Sequence, residues 1–505
     1  MQAGGINDSF NVKSGYAGSV GAYAGGNLKA GGQEPGAVEP HGGENPPLDA
    51  FQSGADFETN EAGDVRFILS FSRDAKKADT ESFIRSQTQS GSSLSGDLPL
   101  INGCSLDVKL ANIGNMLATL PAGTQVTLDK HFSYANPLSQ AYVKSSAGDE
   151  SSTPPDPSIA RELIGIQDVW DMGYTGKGQT IAVIDSGIYP HPDLKDKIAG
   201  WYDPKEGTLV PTDTYGHGTH VAGIAAGSGE MSSGNIKGVA PDAKVVGVRI
   251  ESVSDAIKGI QWVIENKDRL GIGVINMSLG DYASRSYKDD PWAQATQKAI
   301  EAGLVVCVAA GNEGPVGGTI NTPGIHPDAI TVGAVDDHGT VGRNDDRVAD
   351  FSSRGSESDE VQKPDVVAPG SWISGALAKD STVDVSGDPA FRRINDNYVA
   401  ISGTSMATPM VSGLAACLKQ ANPNLNQRDI KRIIVESCDK YIKAPTTDQG
   451  AGMIDAKKAI ELALTWESIH DIKDLAAEQK PAPARTAPEF DAPAKLDEEQ
   501  FLMSP

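Results

Sequence analysis

Cysteine is scarce in this chain. Only four occur in 505 residues, Cys104, Cys307, Cys417 and Cys438, widely spaced and in apolar segments, which reads as core packing rather than a disulfide framework. Each sits in an apolar stretch such as Val305-Val306-Cys307-Val308, where cysteine acts as a small core hydrophobe. A reducing compartment is therefore allowed. Basic residues are also in short supply: 43 Lys and Arg face 67 Asp and Glu, a formal charge of −24. That balance argues against nucleic acid and anionic membrane surfaces as partners. No run approaches the about eighteen uninterrupted apolar residues of a membrane span. The opening Met1-Gln2-Ala3-Gly4-Gly5-Ile6 lacks both the basic start and the apolar stretch of a secretory signal. An intracellular location is expected, or one reached through a signal already removed.

The composition divides the chain. Residues 1–62 are rich in Gly, Ala, Asn and Pro without a repeat, the composition of a disordered leader. Over 63–135 the pattern predicts a small α+β module, with strands at Val65–Ser72, Leu98–Leu110 and Thr124–Leu128 and helices at Lys76–Gln87 and Ala111–Leu120. Residues 136–157 carry Ser145-Ser146-Ala147-Gly148 and Pro154-Pro155-Asp156-Pro157 and read as a linker. A large unit follows over 158–464, then a Pro/Ala-rich acidic tail over 465–505, read as a solvated appendage or an interaction tail.

Three short segments of the large unit carry chemistry: Val183-Ile184-Asp185-Ser186-Gly187, His217-Gly218-Thr219-His220-Val221-Ala222-Gly223 and Gly403-Thr404-Ser405-Met406-Ala407-Thr408-Pro409. A serine hydroxyl is a poor nucleophile near neutral pH. It needs an imidazole to take its proton and a carboxylate to orient and stabilise the imidazolium. Asp185, His217 and Ser405 supply that set in the order Asp, His, Ser, which separates them from α/β-hydrolases and chymotrypsin-like enzymes. Gly403–Ala407 also fails the G-x-S-x-G elbow, because Ala407 replaces the final glycine. Gln179–Asp185 reads as a buried parallel strand with a carboxylate at its C-terminal tip, where doubly wound sheets bind ligands. Thr404–Gln420 reads as a buried helix starting at the nucleophile, so its dipole favours a developing oxyanion.

Each segment also has a plainer reading. Asp-Ser-Gly after a strand is ordinarily a turn. His217 and His220 could be a metal pair, but they are three apart, with no glutamate between them and no evident third ligand. His220 is read as a hydrogen-bonded core histidine.

These motifs resemble those of the subtilisin-like serine peptidases, and within them the intracellular alkaline serine proteases of bacilli. Ala309-Ala310-Gly311-Asn312-Glu313-Gly314 is similar to the family's oxyanion-hole segment. The resemblance, over about residues 158–462, implies an α/β fold with a doubly wound, mainly parallel sheet and helices on both faces. It implies peptide hydrolysis by Asp185, His217 and Ser405, with Asn312 holding the oxyanion and no cofactor for the chemistry. Protein or peptide substrates would pair with the strand at Ser278, Leu279 and Gly280 and with Ala310 and Gly311, a form of β-augmentation. The opposite edge departs from the family: Val248–Glu251 runs almost directly into Ser252–Asp255, without the usual Gly/Ser-rich stretch. Asp213 and Tyr215 match positions near the cleft, and Met410 one where relatives carry histidine. Structural calcium is also implied, through Asp193 with Glu230 and Asn235, although 227–238 reads equally as a solvated loop. By its place, module 63–135 resembles the family's propeptide, an intramolecular chaperone and inhibitor, with self-processing expected between about Phe132 and Thr153. The competing readings are a catalytically silent, propeptide-locked scaffold and a metallopeptidase.

Overall fold

The structure is a computed structural model, and it describes residues 59–60, 62–132, 156–355 and 361–467. The leader, most of the linker and nearly all of the tail lie outside these residues. The described residues up to Trp466 form one compact unit.

The first described portion is an antiparallel sheet with two helices on one face. Its elements are β1 (Asp64–Ser70), α1 (Lys77–Gln89), β2 (Ser93–Leu98), β3 (Gly103–Lys109), α2 (Ile113–Ala118) and β4 (Gln125–Leu128), with strand order β2-β3-β1-β4. Alternation along β1 divides its side chains. Phe67 and Leu69 join Phe83, Leu106, Met116 and Val126 beneath the helices, whereas Ile68 joins Leu98 and Ile101 on the opposite face, in a core shared with the large unit. The strand expected over Leu98–Leu110 begins only at Gly103, after a 3-10 turn at Pro99–Ile101 and a left-handed Asn102. Strand β2 was not expected, since Ser93-Leu94-Ser95-Gly96 is largely polar and exposed; its pairing with β3 supplies what its pattern lacks.

The large unit opens with α3 (Ile159–Leu163) and α4 (Ile166–Asp171). Around the sheet follow β5 (Thr180–Asp185), β6 (Ile198–Tyr202), α5 (His217–Ala226), β7 (Lys244–Arg249), α6 (Val253–Leu270), β8 (Ile272–Met277), α7 (Pro291–Glu301), β9 (Val305–Ala309), β10 (Ile330–Asp336), β11 (Arg347–Val348) and β12 (Val366–Pro369). A smaller sheet comprises β13 (Ile373–Ala376), β14 (Arg392–Arg393) and β15 (Tyr398–Ile401), with α8 (Thr382–Val385) between its first two strands. The chain ends in α9 (Thr404–Ala421), α10 (Gln427–Ser437), α11 (Thr446–Gln449) and α12 (Ala456–Leu464).

The main sheet runs β11-β10-β9-β8-β5-β7-β6, with β12 on β10, and every pairing except β10 with β11 is parallel. This is the doubly wound α/β architecture, and the period of two explains its layers. Ile181, Val183, Val245, Val274 and Cys307 pack toward α5 and α9, while Ala182, Ile184, Val246, Ile275 and Val308 pack toward α6 and α7. The chain leaves β5 to build β6 and β7 on one side, then crosses to build β8, β9 and β10 on the other. The crevice at such a reversal opens at the carboxyl ends of the strands, and Asp185 is the last residue of β5. All four cysteines are unpaired and buried, and burial pushes each thiol up to about 12.

Candidate active site

Three elements bring the polar groups to one crevice. Asp185 stands at the tip of β5 and is fully buried. Its Oδ1 accepts from Nδ1–H of His217 at 2.7 Å and from the Ser186 amide at 2.7 Å. The first bond fixes the imidazole tautomer and directs Nε2 away from the carboxylate. His217 is the first residue of α5, entered through Gly216 at φ 104°. Burial pulls its basicity down, but the charge and hydrogen bond of Asp185, with a contribution from Asp213, leave it raised above the ordinary imidazole value.

Ser405 is the second residue of α9, and its hydroxyl donates to the Ser278 carbonyl at 2.7 Å. Beside it, Asn312 Oδ1 accepts from the Thr404 amide at 2.9 Å and the Thr404 hydroxyl at 3.0 Å. Those two donors identify the oxygen, so the amide Nδ2–H₂ is the end left for an anion. His217, Ser278, Leu279, Gly280, Gly311, Asn312 and Ser405 line a single cavity of about 300 Å³. It is closed on one side by Lys130, His131 and Phe132.

That closing segment is anchored to the large unit along its length. His131 bridges antiparallel to Ser252, and the Phe132 amide donates to the Glu251 carbonyl at 2.8 Å. The edge after Val248 thus accepts an extended chain although it lacks a Gly/Ser-rich stretch. Phe132 packs on Trp292 with ring centroids 5.1 Å apart, and Lys130 pairs with Asp281 at 3.0 Å. Asp129 is buried, accepting from the Ser254 amide at 2.9 Å and the Ser252 hydroxyl at 3.3 Å. It thereby satisfies a first-turn N–H of α6. The expected processing region beyond Phe132 lies outside the described residues.

Several expected residues sit elsewhere. Ala310 does not line the cavity: its side chain is buried with Ile320 and Ile325, and Ala309 takes the lining position. Asp213 is likewise no subsite wall, being buried below the cleft and hydrogen-bonded to the first turn of α5. Met410 is core. His220 is buried with Nε2 3.0 Å from the Val399 carbonyl, and burial pulls its pKa down to about 3. Among the other lining residues, Glu313 and Thr404 lie within the motif segments without a role of their own assigned, Asn321 lies in the segment 320–324 that aligns loosely with the family's pocket floor, and Phe391 and Ile401 carry no sequence signal.

Asp193 fits calcium poorly. Its Oδ2 accepts from the Tyr398 hydroxyl at 2.6 Å and its Oδ1 from the Met231 amide at 3.1 Å, so donors already face both oxygens. Among the described residues, no group of three or more His, Cys, Asp or Glu is arranged to hold a metal ion.

Comparison with known proteins agrees with this geometry. The sequence model of the Subtilase family matches residues 176–453. Serine protease AprX of Bacillus subtilis is 42% identical over 297 residues, covering 57% of this chain and 67% of that protein. Thermitase of Thermoactinomyces vulgaris is 34% identical over 321 residues, 61% of this chain and 99% of thermitase. Among solved structures, fervidolysin from Fervidobacterium pennivorans superposes with a TM-score of 0.58 at 24% identity, covering 79% of this chain and 61% of that one; at that identity the likeness is one of fold.

Proposed function

The chain belongs to the subtilase family, and from that premise we propose that Asp185, His217 and Ser405 are the catalytic triad of a serine endopeptidase made as a self-processing zymogen. It is a subtilisin-like serine protease, a hydrolase whose chemistry needs no cofactor. The observation that supports the triad most directly is the cavity shared by His217, Asn312 and Ser405, with Asp185 bonded to the far side of the imidazole at 2.7 Å.

In the proposed cycle the Ser405 hydroxyl gives its proton to His217 Nε2 as the oxygen attacks the peptide carbonyl. Asp185 stabilises the imidazolium. The oxyanion is held by Asn312 Nδ2–H₂ and the Ser405 backbone N–H, at the positive end of α9. His217 then protonates the leaving amine and activates the water that hydrolyses the acyl-enzyme. Substrate backbone pairs with Ser278–Gly280 on one side and with the Glu251 edge on the other, so recognition of the main chain tolerates many sequences.

The module up to Phe132 acts in this reading as an inhibitor whose C-terminal segment fills the cleft. The anchoring of Asp129, Lys130 and Phe132 supports that role, and equally supports the second reading of a propeptide-locked, silent scaffold. Structural calcium is not assigned through Asp193, because its oxygens are occupied by hydrogen-bond donors. Intact mass and casein hydrolysis separate the two readings: an enzyme shortens itself and gains activity, whereas a scaffold stays full length and inert. N-terminal sequencing of the active form then locates the junction, and a start before Asp129 would contradict the inhibitor role.

A further inference from the structure

Asp213 is a buried carboxylate that the proposed triad does not use. Its Oδ1 accepts from the Ser186 hydroxyl at 2.9 Å and the Gly216 amide at 2.7 Å; its Oδ2 accepts from the Thr219 amide at 2.9 Å and hydroxyl at 2.6 Å. The Ser186 hydroxyl in turn accepts from the Gly218 amide at 2.9 Å, and the Ser186 amide donates to Asp185 Oδ1. One carboxylate therefore ties the tip of β5, which carries Asp185, to the first turn of α5, which carries His217. The contact is too close to slip: a β-carbon on Gly218 would stand 2.1 Å from the Gly187 carbonyl oxygen, and one on Gly187 2.1 Å from that of Thr212. All four groups facing Asp213 are donors, the set that an ionised carboxylate accepts. Burial raises its proton affinity above the ordinary carboxyl value, and the four donors work against that rise.

We propose that Asp213 is a positioning residue for the Asp185–His217 pair and a second fixed negative charge that stabilises the imidazolium without touching it. This rests on the triad assignment above. The groups around His217 are few enough to isolate the effect. His220 stays neutral because burial depresses it, and Tyr215 stays neutral because burial pushes its phenol up. Among the described residues, Asp185 and Asp213 are the acidic groups that raise the proton affinity of the ring. Across the cavity stand Lys130, His131, Asp281 and Glu313, the same in wild type and in each variant below.

The test is the ring titration of His217, followed by carbon-detected NMR of histidine-labelled full chain carrying Ser405→Ala, so that no processing or turnover is needed. Adding Asp213→Asn should lower the His217 pKa by about half a unit or more. Ser186→Ala, which cuts the tie but leaves the charge, should move it by less than about 0.2 unit. In the chain with Ser405 intact, Ser186→Ala should lower kcat by roughly tenfold with little change in KM. A folded Asp213→Asn chain whose His217 titrates as in the parent would overturn the charge role. Wild-type kcat in Ser186→Ala would overturn the positioning role. Should Asp213→Asn fail to fold, the Ser186→Ala turnover decides. A chain with Ser405 intact that neither processes itself nor hydrolyses casein would count against the triad assignment, while the titration would still report on Asp213.

Discussion

Asp213 and Asp129 are two of the buried carboxylates that meet helix N-termini among the described residues, and they do different things. Asp213 serves α5 from the loop just before it, so its donors and its own backbone belong to one local structure. Asp129 serves α6 from the other side of a seam, reaching Ser252 and Ser254 from a segment more than a hundred residues earlier. The same physics, an anion at the positive end of a helix, orders the proposed catalytic pair in one place and fastens the proposed inhibitory segment in the other. A third helix start is treated differently again. The first turn of α9 holds no acidic residue of its own, and the Thr404 amide is taken by the neutral oxygen of Asn312. In the proposed mechanism the positive end beside Ser405 serves an anion that forms only during reaction.

Breaking the α9 arrangement should have the largest of three effects. Asn312→Ala removes the proposed oxyanion donor, and the loss known from subtilisin itself, about 10² to 10³ in turnover, is expected here with KM little changed. Steady-state kinetics on a peptide anilide check it; a loss confined to KM would place Asn312 in ground-state binding.

The pH dependence comes next. His217 must be neutral to accept the Ser405 proton, and its proton affinity is raised above the ordinary imidazole value of 6.5. Activity should thus be lost as pH falls through a point above 6.5, by about tenfold per unit below it. A profile of kcat/KM flat down to pH 5 would remove His217 as the base.

The seam should respond least. Asp129→Ala deletes an N-cap-type interaction worth about 0.5–2 kcal/mol, so hydrogen exchange at the Ser254 amide should quicken by roughly two- to thirtyfold in full-length Ser405→Ala protein. The sign with pH follows from burial, which raises Asp129 above the ordinary carboxyl range against the pull of Ser254, while Asp255 adds to the rise and Arg66 opposes it. A carboxyl more basic when docked makes docking tighter in acid and looser as pH rises through the raised value. Ser254 protection that fell on acidification, after correction for intrinsic exchange, would show that another group governs the seam.

The sequence was most legible where chemistry restricts residue type. Only a few side chains can act as acid, base and nucleophile, so the segments around Asp185, His217 and Ser405 stood out, and Gln179–Asp185 showed its strand through β-branched apolar residues. Legibility failed where an interaction is made in three dimensions. Asp213 and Asp129 are two among 67 acidic residues, and their donors identify themselves only after folding. Strand β2 is held by its partner rather than by its pattern. Ala310 follows Ala309 in a strand-like run, and only the packing of Ile320 and Ile325 decides which of the two faces the cavity. Asp193 reads as a metal ligand until the Tyr398 hydroxyl, 205 residues away, is found on it.

The most direct test is the fate of wild type beside Ser405→Ala, followed by intact mass and casein hydrolysis over the same incubation. The account predicts that wild type shortens and becomes active, while Ser405→Ala stays full length with turnover lower by about 10⁶, the magnitude known for the nucleophile of subtilisin itself. A Ser405→Ala chain that processes itself or cleaves casein at the wild-type rate would contradict the mechanism.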